Sequence, residues 1–268
     1  MLILTPLFLF FMDLLFRSCQ FMKFFIQSRR LHGIHSPFVY QWMEKLQQPY
    51  QYYGLEQALN VIEHRSLSNN TIQKNDLGTG RNKGPYTISV KNMARKTRRR
   101  KIIYRIIFEL TQMIKPSIIL ELGTGLGFST LVMAQASPNS KIISVDGCKN
   151  TLKEAGITLQ KAPQPKNIQL ITASFDDFLQ TFSLPVDLVF IDGNHTFEAT
   201  TRYAEKITPL ISINGALVLD DIHWSKPMYL AWQHIRQKQE YTLTLDFFDI
   251  GILFKNPSFS KEEFKLLV

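Results

Sequence analysis

The sequence predicts an α/β fold: a doubly wound, mostly parallel sheet of seven strands that ends in an antiparallel hairpin, preceded by a helical N-terminal extension. Three observations carry this reading. From Pro116 onward, apolar runs of four to six residues alternate at even intervals with helical stretches, the pattern of a parallel sheet covered on both faces. Three glycines at alternate positions follow the first of those runs. Near the C-terminus two strand-like runs are joined at a single residue, too short a link for a parallel crossover.

The 268 residues are enough to bury a substantial core. Apolar and charged shares of 45% and 20% exclude a disordered or low-complexity chain. The two cysteines, Cys19 and Cys148, exclude a disulfide framework and a four-ligand zinc site, and imply a reducing, cytoplasmic compartment. The formal charge of +9 is uneven. Residues 17–105 carry 17 Lys or Arg against 4 Asp or Glu, whereas residues 106–268 carry 14 against 17. The chain thus divides into an apolar extension (1–21), a basic helical region (22–105) and an α/β domain (106–268).

Residues 1–16, MLILTPLFLFFMDLLF, lack the basic start and small-residue cleavage site of a secretory signal. The run is too short for a membrane span and contains Asp13. Three readings stay open: a membrane-associating helix, a helix packed on the domain, or an extension upstream of a start at Met12 or Met22. We favour the last. Residues 22–60 read as helical, with turns at Gly33–Pro37 and near Pro49; Ser36 before Pro37 suits a helix start. The polar stretch 66–90 reads as a long loop or lid-like insertion. Within it Asp76-Leu-Gly-Thr-Gly80 imitates a glycine motif, but no apolar strand precedes it. Residues 91–115 then read as one helix with Ile103, Ile106, Ile107 and Leu110 on a single face. Eight of the fifteen residues from Lys91 to Arg105 are basic; this is a solvated helix face, or a surface for phosphates.

Five strands are expected at Ser117–Glu121, Lys141–Asp146, Ile168–Thr172, Val186–Asp192 and Ala216–Asp220, with helices near 128–137, 150–161, 175–182, 197–210 and 226–239. Thr242–Phe248 and Ile250–Lys255 form the hairpin around Asp249.

The first strand runs into Glu121-Leu-Gly-Thr-Gly-Leu-Gly127. Glycine at a strand-to-helix switch lets the backbone approach a ligand at positive φ. A dinucleotide fingerprint spaces its glycines G-x-G-x-x-G; here the spacing is G-x-G-x-G, with a carboxylate two residues ahead. Glu121 would face a pyrophosphate unfavourably but would welcome an amino group, so the ligand implied is a nucleoside carrying an amino acid. Asp146, 25 residues on at the tip of the second strand, suits two ribose hydroxyls. Ala173 and Ser174 end the third strand and suit the border of an adenine. Asp192-Gly-Asn-His195 follows the fourth strand and Asp220-Asp221 the fifth. Acids at single strand ends commonly cap helices; acids at four in succession exceed what capping requires.

These segments together, with IDGNHTFEA and GALVLDDIHW, resemble the class I S-adenosylmethionine-dependent methyltransferases, in the branch of small-molecule O-methyltransferases with many bacterial members. The resemblance covers residues ~100–255, and LHGIHSPFVY resembles the opening of bacterial members of that group. It implies a Rossmann-like domain that binds S-adenosylmethionine through Glu121, Gly123, Thr124, Gly125, Gly127, Asp146, Gly147, Ser174, Phe175 and Asp192. It also implies a Mg²⁺ site at Asp192, Asp220 and Asp221, with Asp221 departing from the asparagine of the family pattern. For the proton of an acceptor hydroxyl, His195 or His223 is the candidate base, with Asp192 beside it; Trp224 is a candidate wall of the acceptor pocket. The partner expected is a small acceptor, acidic in one reading, methylated on an oxygen or a nitrogen. Nucleic acid is disfavoured by the lack of a zinc module, an RNP-type strand or an amino-methylation motif, and membrane association would run through residues 1–16. A binding protein without chemistry and a nicotinamide dehydrogenase are the remaining alternatives; the glycine spacing and Glu121 disfavour the latter. The sequence leaves the oligomeric state open.

Overall fold

The computed structural model describes residues 6–29, 31–49, 51–74, 84–97, 99–162 and 167–268. Five strands at its centre are parallel: β3 (Ile118–Leu122), β4 (Lys141–Asp146), β5 (Ile168–Thr172), β6 (Val186–Ile191) and β7 (Ile211–Asp220). Each is an apolar run because both faces are covered. In β6, Leu188 and Phe190 pack into one core while Val189 and Ile191 pack into the other; in β7, Ala216 and Val218 alternate with Leu217 and Leu219 in the same way. That is the two-residue period of a strand with a core on each side.

Antiparallel β8 (Leu243–Asp246) and β9 (Ile250–Lys255) follow, and the predicted hairpin forms around Asp249. An eighth strand, β10 (Glu262–Lys265), pairs parallel with β8, so the sheet order is β10-β8-β9-β7-β6-β3-β4-β5. The α/β class and the hairpin are as expected, and the count is eight rather than seven. β10 reads EEFK, too polar and short to announce itself.

Two layers cover the sheet. On one face lie α2 (Pro37–Gln47), α3 (Tyr53–Arg65), α5 (Lys101–Ile114) and α6 (Phe128–Ala136); α9 (Phe197–Ile207) and α10 (Lys226–Arg236) lie on the other. α7 (Lys149–Leu159) and α8 (Phe175–Thr181) flank the β4–β5 end. Trp232 of α10 is fully buried, and a Cβ at Gly251 would come within 2.5 Å of its ring. The helix therefore rests flat on β9 because that strand presents no side chain there.

Three N-terminal expectations are corrected. The stretch 66–90 is not all loop: β1 (Thr71–Lys74) and β2 (Tyr86–Ser89) pair antiparallel, while Asp76–Gly80 lies outside the described residues. Residues 91–115 are not one helix but α4 (Val90–Thr97) and α5, with Arg99 and Arg100 between them. Ser36 stands at the start of α2, yet its side chain makes no capping hydrogen bond.

From Pro6 on, the apolar N-terminal run belongs to α1 (Pro6–Gln27), a helix that continues through Met22. It packs on the domain through buried Phe24 against Phe248 and His223, and through Phe16 on Tyr229. Arg17 lies 5.1 Å over Trp224 and pairs with Asp249 at 2.8 Å. The outward side of α1 leaves Leu15, Met22 and Ile26 exposed. Among the described residues no helix is long and apolar enough to cross a membrane.

Candidate active site

The strand order reverses at β3, which has β4 on one side and β6 on the other. In an open α/β sheet this reversal leaves a crevice at the carboxyl ends of the strands, the ordinary seat of a ligand. Here it is a cavity of about 200 Å³, bordered by Gly123, Thr124, Gly125, Asp146, Asp192 and His195, with Lys74, Met93 and Arg99 contributed by the N-terminal region. A wider open cleft of about 590 Å³ lies between α2 and α5, lined by Trp42, Lys45 and Glu109. It is remote from the carboxyl ends of the strands, and the polar groups converge on the smaller cavity.

The three glycines do different work. Gly123 takes φ +109°, and a Cβ there would lie 1.9 Å from the Asp192 carbonyl oxygen, so this position is glycine because two strand tips touch. Gly127 opens α6 at φ +76° against Ala155. Gly125, at φ +53°, has nothing within 4 Å of where a Cβ would stand. Only Gly125 leaves room for a ligand against the backbone.

Asp146 ties the two loops of this crevice together, accepting the Gly125 N–H at 3.0 Å and the Cys148 N–H at 2.9 Å. Burial raises its pKa against the pull of those donors. Each of its oxygens keeps accepting capacity for a ligand hydroxyl.

Glu121 is placed differently from the expectation. Its carboxylate is fully buried behind the glycine loop, where it accepts from Ser129, Thr130 and Ser144, each at 2.5 Å. Burial pushes its pKa up to about 7 even so. It braces the wall of the cavity and does not line it. Four more predicted residues stand off the cavity: Gly127 as described, Gly147 beside Asp146, Ser174 and Phe175. Ser174 caps α8 by accepting the Asp177 N–H at 3.1 Å, and Phe175 stacks edge-on with Tyr203 and abuts Gly193.

The remaining polar groups lie at the tips of β6 and β7. Asp221 and Asn194 both take left-handed backbone (φ 55° and 50°), which Asp and Asn tolerate best among residues with a Cβ. His195 Nε2 stands 3.6 Å from Asp192 Oδ1 and 4.0 Å from Asp221 Oδ2. His223, the other candidate base, is sealed in: its Nε2 meets Asp246 Oδ2 at 2.9 Å, and its ring stacks on Phe248 at 4.8 Å. It is a packing residue, whereas His195 borders the cavity. Trp224 is half-buried beneath Arg17.

The residue that sequence reasoning missed is Arg99. Its Nη2 donates to Asp192 Oδ2 at 2.5 Å and to Asp220 Oδ2 at 2.6 Å, while Nε donates to Asp220 Oδ1 at 3.2 Å. Its guanidinium also lies over Phe190 at 5.3 Å. Burial opposes the charge on Asp192, but Arg99 and then His195 outweigh it and hold that carboxyl below its usual range. For Asp220, burial wins over Arg99, and the neighbouring Asp192 and Asp221 add to it; its pKa stands well above the usual range.

The residues present fit a nucleoside carrying an amino acid: an open backbone at Gly125, a carboxylate at Asp146 and a polar wall at Asp192. They do not fit Mg²⁺ in the expected place. The oxygens expected to bind the ion are occupied by the Arg99 guanidinium, and among the described residues no three His, Cys, Asp or Glu side chains are disposed to hold a metal.

Residues 120–222 match the family model of a methyltransferase domain. The matched segment is thus similar to a methyltransferase domain, and it spans most of the β3–β7 stretch that builds the crevice. In sequence, the chain is 30% identical over 135 residues to the O-methyltransferase hkm8 of Aspergillus hancockii, an overlap of 49% of this chain and 51% of the relative. It is 37% identical over 75 residues to a probable cobalt-precorrin-6B C(15)-methyltransferase (decarboxylating) of Thermoplasma volcanium, which covers 28% of this chain and 36% of the relative. The chain thus spans about half the length of the first and less of the second. In fold it is similar to the SAH-bound methyltransferase PaMTH1 of Podospora anserina (TM-score 0.58, 16% identity, 80% of this chain and 92% of that one). A Bacillus cereus O-methyltransferase in complex with SAH is also similar (TM-score 0.52, 16% identity, 80% and 96%).

Proposed function

We propose that this protein transfers a methyl group from S-adenosylmethionine to a hydroxyl oxygen of a small acceptor held between the tips of β6 and β7. The observation that carries the reading is that Gly125, Asp146, Asp192 and His195 border one cavity at the point where the strand order reverses. When bound, S-adenosylmethionine supplies a methyl group already activated on a sulfonium, and its loss leaves S-adenosylhomocysteine.

The chain's own residues then do three things. The Gly125 backbone and Asp146 seat the nucleoside, with Asp146 accepting from the ribose hydroxyls. The β6 and β7 tips hold the acceptor oxygen in line with the methyl group, and this alignment is the main catalytic demand once the methyl is activated. His195 takes the hydroxyl proton on Nε2 as the oxygen forms its bond to carbon, with Asp192 and Asp221 stabilising the imidazolium.

The cavity is smaller than the roughly 300 Å³ at which small-ligand sites usually begin. Lys74 and Met93 at its border belong to the N-terminal region, so seating a nucleoside requires those side chains to swing outward. The acceptor is a neutral, hydroxylated molecule, because Asp192 and Asp221 repel a polyanion. Nucleic acid is the weaker reading: at the centre of the basic run, Arg99 is committed to Asp192 and Asp220 inside the protein, and Arg100 pairs with Asp249 at the surface.

The test is to incubate the purified chain with S-adenosylmethionine and a panel of phenols, catechols, alcohols, carboxylic acids and oligonucleotides, following release of S-adenosylhomocysteine. Turnover on hydroxylated small molecules, lost in His195→Ala, is the outcome expected; turnover on oligonucleotides alone overturns the acceptor assignment.

A further inference from the structure

Arg99 reaches the acceptor side from far upstream. It sits where the basic segment breaks between α4 and α5, and this break is pinned in both directions. The Arg99 N–H donates to the Tyr104 hydroxyl at 3.2 Å, while the next residue, Arg100, pairs with Asp249 at 2.7 Å in the β8–β9 turn. A continuous helix would have carried both side chains around one cylinder, and the break sends Arg99 inward. Its side chain is only 12% exposed.

The guanidinium fork fits its place closely. Nε and Nη2 face the two oxygens of Asp220, and Nη2 also reaches Asp192, the fixed bidentate geometry that distinguishes arginine from lysine. No hydrogen bond from Nη1 to a described residue is present, and Arg99 borders the cavity. A divalent ion held by Asp192 and Asp220 would need the space and the oxygens that Nη2 takes, and it would meet a like charge at contact distance. Arg99 and a metal ion are alternatives.

We infer that Arg99 is the resident cation of the acceptor site: its guanidinium occupies the place between Asp192 and Asp220 that a divalent metal would take, and it presents Nη1 to the acceptor oxygen. The assignment of Nη1 rests on the methyltransferase reading; the exclusion of metal does not. Arg99 is a positioning residue for Asp192, and through Nη1 it is a binding residue for the acceptor. Methyl transfer in this chain then needs no metal, and the oxygen that loses its proton to His195 is steadied by a fixed N–H donor.

The experiment is a Mn²⁺ titration of the full chain followed by electron paramagnetic resonance of the free ion, with melting temperatures taken alongside. The wild type is expected to show no saturable binding and no Mn²⁺-dependent shift in melting temperature. Arg99→Ala is expected to gain saturable Mn²⁺ binding and to recover melting temperature as the ion is added; Arg99→Lys, which keeps the charge, remains silent. Saturable binding by the wild type that is lost in Asp220→Asn overturns the inference, and so does an Arg99→Ala protein that folds and gains no Mn²⁺ affinity. If neither Arg99 variant folds, the wild type and Asp220→Asn decide alone. S-adenosylhomocysteine titration of the wild type separates the two readings: loss of that binding sinks the methyltransferase assignment and leaves the Mn²⁺ result standing.

Discussion

Gly123 and Asp192 belong to different strand tips, yet they approach so closely that a Cβ on residue 123 would lie 1.9 Å from the Asp192 carbonyl oxygen. The Asp192 N–H donates to the Leu122 carbonyl at 2.8 Å, which locks the two tips together. The position of the β6 tip relative to the glycine loop is therefore set by a backbone contact that only glycine permits.

That contact separates two glycine substitutions. Gly123→Ala forces the strand tips apart at a positive φ and is expected to cost about 3 kcal/mol or more. Gly125→Ala meets open space and is expected to cost only about 1–2 kcal/mol, the penalty of left-handed backbone for a residue with a Cβ. Its methyl group would stand in the cofactor's path. Thermal denaturation and S-adenosylhomocysteine titration should show the first variant losing stability and the second mainly losing affinity.

Glu121 gives a pH prediction. Its pKa is raised to about 7 in the folded state from an ordinary 4.5, so the folded protein holds the proton more tightly than the unfolded chain. This group's contribution to stability is full below pH 4.5 and is lost as pH rises through 7, a change on the order of 1–3 kcal/mol. Glu121→Gln keeps partners for the three hydroxyls and removes the ionisation. The variant should lose that part of the pH slope and should match or exceed the wild type in stability at pH 8. A variant with an unchanged slope, measured by urea unfolding across this range, contradicts the assignment.

The two histidines should part company. His195→Ala leaves the melting temperature nearly unchanged, since the ring is at the cavity edge, and lowers kcat by about 10²–10⁴-fold. His223→Ala leaves Asp246 without its buried partner and is expected to cost about 2 kcal/mol or more, with kcat of the folded fraction largely kept. Equal effects of both on kcat would mean that His195 is not the base.

Much of the frame was legible because buried parallel strands are written as continuous apolar runs. Lys141–Asp146, Ile168–Thr172 and Ile250–Lys255 form with the boundaries expected from sequence. What could not be read has a physical reason in each case. TIQK and EEFK pair as strands through backbone hydrogen bonds, which leave no apolar signature. Arg99 stands in a run of three arginines that reads as a solvated face, while its partners lie 93 and 121 residues away. Only Tyr104, five residues on and buried, hints that the run breaks. Glu121 was visible as a carboxylate in the right motif, but Ser129, Thr130 and Ser144, which enclose it, look like ordinary helix and strand residues.

The central claim is that the crevice at Gly125 and Asp146 holds S-adenosylmethionine. Calorimetric titration with S-adenosylhomocysteine tests it without knowledge of the acceptor. Saturable binding by the wild type, weakened at least about tenfold in Asp146→Ala by the loss of a charge-assisted hydrogen bond to ribose, is the predicted result. A wild-type chain that binds no S-adenosylhomocysteine, or an Asp146→Ala protein that binds it equally well, contradicts the account.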